Sequence, residues 1–90
     1  MRAIVTVVGM DRPGIIARIS GVLFAANINI LDISQTVLRD EVFVMTMLVD
    51  LSGGTASFDQ VKSQLDECAK ELQMDIRFQR EEIFNSMHRV

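Results

Sequence analysis

Gly9-Met10-Asp11-Arg12-Pro13-Gly14 joins a run of alternating apolar residues to an apolar stretch with helical spacing, and its reading decides the fold. Gly9 is expected to end a strand where the backbone turns, which a residue without Cβ does cheaply. Pro13 suits the first helical position, where its fixed φ helps and its missing N–H is not needed. Gly14 leaves the first turn bare, so the free amides of Gly14, Ile15 and Ile16 would favour a carboxylate or other anion. Asp11 adds a negative charge able to receive an ammonium. A positive end and a negative end so close match the two ends of a free amino acid. The same residues also make an ordinary helix start with no ligand at all.

Upstream, residues 2–9 alternate, with Ile4, Thr6 and Val8 facing one way and Ala3, Val5 and Val7 the other. Both faces are mostly apolar, as in a central strand covered on both sides. Downstream, the spacing predicts a helix over 13–26 with Ile15, Ile16, Ile19, Val22, Leu23 and Ala26 on its inward face. Gly21 is expected to permit close packing on the sheet, and Asn27 to end the helix. A second strand follows over 28–38, with a bulge where the alternation slips at Ile30-Leu31. Arg39-Asp40 reads as a tight turn into a third strand over 41–50, in which Phe43, Met45, Met47 and Val49 oppose Val42, Val44, Thr46 and Leu48.

Beyond the loop Ser52-Gly53-Gly54-Thr55-Ala56, Ser57 and Gln60 form a capping box for a helix over 58–73. Phe58, Val61, Leu65, Cys68 and Leu72 are its buried stripe, and its charges form a solvated face. Residues 74–80 alternate as a last strand. Glu82 to Arg89 reads as a short helical tail, which must dock because so short a helix does not stand alone in water.

The order strand, helix, strand, strand, helix, strand predicts an α+β, ferredoxin-like βαββαβ sandwich. Its four-stranded antiparallel sheet carries two helices on one face, with a short C-terminal helical tail over 81–90, in one domain spanning 1–90. Right-handed crossovers put strands one and three in the centre. The other sheet face then needs cover, from the tail or from a second copy.

Composition narrows the function. Ninety residues with 49% hydrophobic content and a mean hydropathy of +0.27 leave apolar surface that self-association would hide. The net charge of −3 and the scattered basic residues argue against a nucleic-acid surface. No apolar run reaches the ~18 residues of a membrane helix, and the start has no signal layout, so a cytoplasmic protein is expected. The single Cys68 has no partner for an internal disulfide and falls on a core stripe. His88 sits on the tail as a surface residue. One cysteine and one histidine so far apart do not make a metal site, and no cofactor is expected.

Gly9-Met10-Asp11-Arg12-Pro13-Gly14-Ile15, followed after the first helix by Asn27-Ile28-Asn29-Ile30, resembles the ACT domain. The resemblance runs over the whole chain. The length and the ending Ile83-Phe84-Asn85-Ser86-Met87-His88-Arg89-Val90 are similar to small stand-alone ACT-domain proteins, and to half of the glycine cleavage system repressor. It implies regulatory amino-acid sensing by a homodimer, with the effector held between the first loop and the second strand where two copies meet. Asp11 then occupies the polar loop position, while Arg12, Pro13, Gly14 and Ile15 supply shape and helix-start amides. Asn29 stands where a side-chain amide contacts the effector, and Ile30 is a wall. At Gly9 the chain departs from the serine-binding pattern, where a histidine is common. With no attached enzyme or DNA-binding domain, a signal would pass to a separate regulated protein.

Three other readings compete. A pure interaction module would keep the fold and use the apolar sheet face without a pocket. Acylphosphatases share this topology and size, and Arg12 and Asn29 superficially fill their roles. However, Asp11 would repel a phosphate, and no nucleophile stands beside a base. RNA binding through the sheet needs stacking aromatics and positive charge, and the chain has no Trp or Tyr.

Overall fold

The computed structural model describes residues 1–87. The elements are β1 (Arg2–Met10), α1 (Ile15–Ala25), β2 (Asn29–Leu38), β3 (Val42–Asp50), α2 (Phe58–Leu72), β4 (Asp75–Arg80) and α3 (Glu81–Met87). All strand pairs are antiparallel and the sheet order is β2-β3-β1-β4, so β1 and β3 are central. This is the expected ferredoxin-like arrangement. The expected surface position of His88 lies outside the described residues.

Alternation builds the core. Ala3, Val5 and Val7 of β1 lie opposite Val49, Met47 and Met45 of β3, and all six are buried. Ile76 and Phe78 of β4 extend that face, which packs on Ile19 and Leu23 of α1 and Val61, Leu65 and Cys68 of α2. The Phe58 and Phe78 rings stack 4.5 Å apart where α2 meets β4. The register slips between Ile30 and Asp32, as the broken alternation implied. Arg39 and Asp40 both take left-handed φ values, 54° and 56°, and Glu41 N–H closes the turn on the Leu38 carbonyl at 3.0 Å. That conformation suits the twist of a hairpin.

Caps set the helix ends. The Ser57 hydroxyl accepts from the Gln60 N–H, and the Gln60 side chain accepts from the Ser57 N–H. At the end of α1, Ile28 N–H reaches the Leu23 carbonyl and Asn27 N–H the Phe24 carbonyl, with Asn27 at φ 56°. Asn27 thus ends the helix by adopting the left-handed backbone just past its cap, as in a Schellman motif.

Three expectations about the first loop and helix are corrected. The helix does not start at Pro13: Gly14 is its cap, at φ 85° and ψ 3°, and α1 begins at Ile15. Gly9 does not end its strand at a turn. It lies inside β1 opposite Phe43, and a Cβ there would sit 2.8 Å from Met74 Cγ, so the glycine answers a close approach. Gly21 does not face the sheet. It is exposed, and a Cβ there would meet nothing within 4 Å.

The face away from the helices is half covered. Arg2 and Glu81 pair at 2.8 Å where α3 leaves β4, and α3 packs on β1 and β4. Ile4 is buried at that end. At the other end, Val8 (38% exposed), Met10 (55%) and Leu38 (51%) stay open.

Candidate functional site

The β1–α1 loop is anchored by backbone. Asp11 N–H donates to the Glu41 carbonyl at 2.7 Å, tying the loop to the β2–β3 turn. Glu41 acts here through its main chain, a role that side-chain patterns do not reveal. Gly14 then turns the chain through the left-handed region, and its carbonyl accepts the first helical bond, from Arg18 N–H at 2.9 Å. No side chain caps α1. The amides of Ile15 and Ile16 precede that first bond and keep the partial positive charge of a helix start. Asp11, Pro13 and Gly14 are exposed.

Arg12 is half-buried, and its Nε is enclosed with no hydrogen-bond partner. A buried donor on a charged group is costly to leave unmatched. Arg12 follows Asp11 directly, so two opposite charges stand on consecutive residues of the loop that leads into the open helix start.

Asn29 and Ile30 lie elsewhere. Asn29 opens β2 and pairs with Asp50, which pairs in turn with Arg2 at the start of β1. The loop follows Met10, whose row runs through Val42 to Leu38. Strands β1 and β2 therefore run parallel, and the loop and Asn29 stand at opposite ends of β2. At 3.3 Å per residue they are about 26 Å apart. One chain does not bring the expected site together.

Each half has its own surroundings. Asn29 borders a pocket of about 300 Å³ with Phe24, Asn27, Ile28, Asp50 and Gly53. The Asn27 amide fixes one wall by donating to the Gly53 carbonyl at 2.8 Å. Asp50 accepts hydrogen bonds from the Ser52 hydroxyl and the Ser52 N–H, and these hold its carboxyl below the ordinary value of 3.8. Sequence reasoning passed over Asn27 and Asp50 as site residues, because one reads as a helix end and the other as the end of a strand.

Among the described residues, no group of three or more His, Cys, Asp and Glu could hold a metal ion. No helix among them is long and apolar enough to cross a membrane. Cys68 is buried and free, and burial pushes its thiol up from the ordinary 9.0. That favours the unreactive form.

Known proteins resemble this chain in sequence and fold. The chain is 56% identical over 90 residues to a UPF0237 protein of Clostridium acetobutylicum, covering all of both chains. It is 53% identical over 89 residues to a UPF0237 protein of Methanopyrus kandleri, covering 99% of this chain and 98% of the relative. An ACT domain protein from Streptococcus pneumoniae superposes with a TM-score of 0.78 at 40% identity, over 93% of each chain. A putative glycine cleavage system transcriptional repressor shares the fold, with a TM-score of 0.73 at 22% identity, over 88% of this chain and 44% of its own. The sequence profile of the ACT domain matches residues 2–79. With the βαββαβ order, the sheet order and that match in agreement, the chain belongs to the ACT-domain family.

Proposed function

We propose that this protein is a regulatory amino-acid-binding module that works as a homodimer and catalyses nothing itself. The observation that carries the reading is the placement of complementary halves at opposite ends of β2. The loop end offers helix-start amides, the Arg12 guanidinium and the Asp11 carboxylate. The far end offers the Asn29 amide beside a pocket. Two copies related by a two-fold axis would set the loop of one beside Asn29 of the other, making a site that a single chain lacks. The α-carboxylate would take the amides of Ile15 and Ile16 with Arg12, and the ammonium would take Asp11. Pro13 and Gly14 hold the turn, Gly9 makes room for Met74, and Ile30 flanks Asn29. An effector bound across two subunits shifts how they sit together only as far as it prefers one arrangement. The signal then passes to a separate regulated protein. No nucleic acid or membrane takes part, and the cytoplasm is the setting.

The test is isothermal titration of the purified protein against the common amino acids, with melting temperature as a second readout. Binding is expected for at least one, with a rise in Tm at saturation, and both Asp11→Ala and Asn29→Ala should abolish it. Silence in both readouts across the whole set refutes the reading. The open apolar end of the sheet around Val8, Met10 and Leu38 favours one alternative, an interaction module that has kept the fold without an effector. That alternative predicts partner capture indifferent to Asp11→Ala and Asn29→Ala.

A further inference from the structure

Asn29 and Asp50 stand directly opposite each other where β2 begins and β3 ends. Opposed residues of an antiparallel pair share a face, with Cβ atoms about 5 Å apart, so amide and carboxylate lie side by side. With Phe24, Asn27, Ile28 and Gly53 they line a pocket of about 300 Å³. That is the low end of the range for small-molecule sites, and it takes a long side chain rather than a methyl or hydroxymethyl.

The polar lining is rich in oxygen. Both Ser52 bonds end on Oδ1 of Asp50, so among the described residues Oδ2 accepts none. Those bonds hold the carboxyl below its ordinary 3.8, and it is charged at neutral pH. Asn27 commits its Nδ2 to the Gly53 carbonyl at 2.8 Å, which leaves its Oδ1 as an acceptor. The Asn29 amide can present its oxygen as well.

Helix α1 adds to the negative field. Its C-terminal end points its dipole here, and no basic residue stands in its last turn. Phe24, in that turn, is 85% exposed, and an aromatic face attracts a cation. The chain supplies no cation of its own: none of the lining residues is basic. Arg2 lies opposite Asp50 on the β1 side, yet its guanidinium is engaged by Glu81 at 2.8 Å. Arg2 and the amino terminus act on Asp50 through space, with no ion pair to it among the described residues.

We propose that this pocket receives a cationic side chain, so that the effector is an amino acid bearing a second amine, such as lysine or ornithine, and that Asp50 selects it. This rests on the amino-acid reading above and narrows its ligand class. An alkylammonium carries three N–H donors. Asp50 Oδ2, Asn27 Oδ1 and Asn29 Oδ1 are three acceptors on one pocket, and the methylene stem would lie along Phe24 and Ile28. A carboxylate side chain would meet like charge. A neutral chain of the same length would leave Asp50 without a counter-ion.

Isothermal titration of the full chain tests this, with L-lysine and L-ornithine against L-norleucine, the uncharged isostere of lysine, and L-glutamate. The wild type should bind lysine or ornithine about 10-fold or more tightly than norleucine, with glutamate weakest. Asp50→Asn should bring lysine down to the norleucine level. Asp32→Asn removes a carboxylate from β2 outside the pocket and should leave lysine binding unchanged. Urea unfolding checks that Asp50→Asn folds. If it does not, the comparison of lysine with norleucine on the wild type decides the matter alone. The proposal is overturned if norleucine or glutamate binds as tightly as lysine and ornithine, or if folded Asp50→Asn keeps the lysine preference. A neutral amino acid that binds while lysine and ornithine stay silent refutes this ligand class and leaves the sensing role standing. Silence from these four and from the remaining common amino acids refutes both.

Discussion

Replacing Gly9 by alanine tests whether this glycine is fixed by packing. An added Cβ would lie 2.8 Å from Met74 Cγ, 2.9 Å from Met74 Cε and 3.1 Å from Met74 Cβ. Carbon atoms at their best separation stand about 3.5–4.0 Å apart, so the methionine must retreat by roughly 0.7 Å. It has little room, being 7% exposed and part of the core. Overpacking of this size costs about 1–3 kcal/mol. Alanine is otherwise the better strand residue, and stiffening the unfolded chain returns about 0.5–1 kcal/mol. The net loss should be about 1–2 kcal/mol, or about 5–15 °C in Tm for a chain of this size.

Urea unfolding followed by circular dichroism, at one fixed protein concentration, measures the loss. Met74→Ala alone should cost about 2–5 kcal/mol, but in that background only the 3.1 Å contact to the residue 74 Cβ remains, and Gly9→Ala should cost distinctly less. The reasoning fails if Gly9→Ala leaves the midpoint unchanged with Met74 present. It also fails if the penalty is the same with and without Met74, because the strain would then lie elsewhere.

Three further outcomes are expected. Ser57→Ala removes half of the α2 capping box and should cost about 1 kcal/mol in the same urea assay, with Ser57→Gly costing less. Arg39→Asn combined with Asp40→Gly relieves two left-handed residues and should raise stability by about 1 kcal/mol, read as a higher Tm. Burial raises the pKa of Cys68, so above the ordinary 9.0 the unfolded chain releases a proton that the native thiol keeps. Native stability should therefore fall as the pH climbs from 8 through 9 and above, and the urea midpoints of Cys68→Ala should show a smaller fall.

Much of the fold was legible because its signals are local. The β3 alternation, the Ser57–Gln60 box, the Ile30-Leu31 slip and the Arg39-Asp40 turn each depend on residues a few positions apart, and each is found where expected. Helix ends shifted by a residue or two, most at α1, where Gly14 rather than Pro13 decides the start. Gly9 and Gly21 were misread for one reason. A glycine announces that a side chain is missing, but not which neighbour, if any, would have met it. Met74 is the neighbour at Gly9, and it comes from the far end of the chain. The candidate site was legible as a set of residue types but not as a place, since no periodicity reveals that Asp11 and Asn29 stand at opposite ends of a strand.

The parallel course of β1 and β2 has a genetic corollary. If each site draws its loop from one subunit and its asparagine from the other, Asp11→Ala and Asn29→Ala are lesions of different half-sites. Each homodimer would be inactive. A mixed pair would gather both lesions into one site and leave the other intact, so two dead alleles expressed together would complement each other, each mixed dimer keeping one of its two sites.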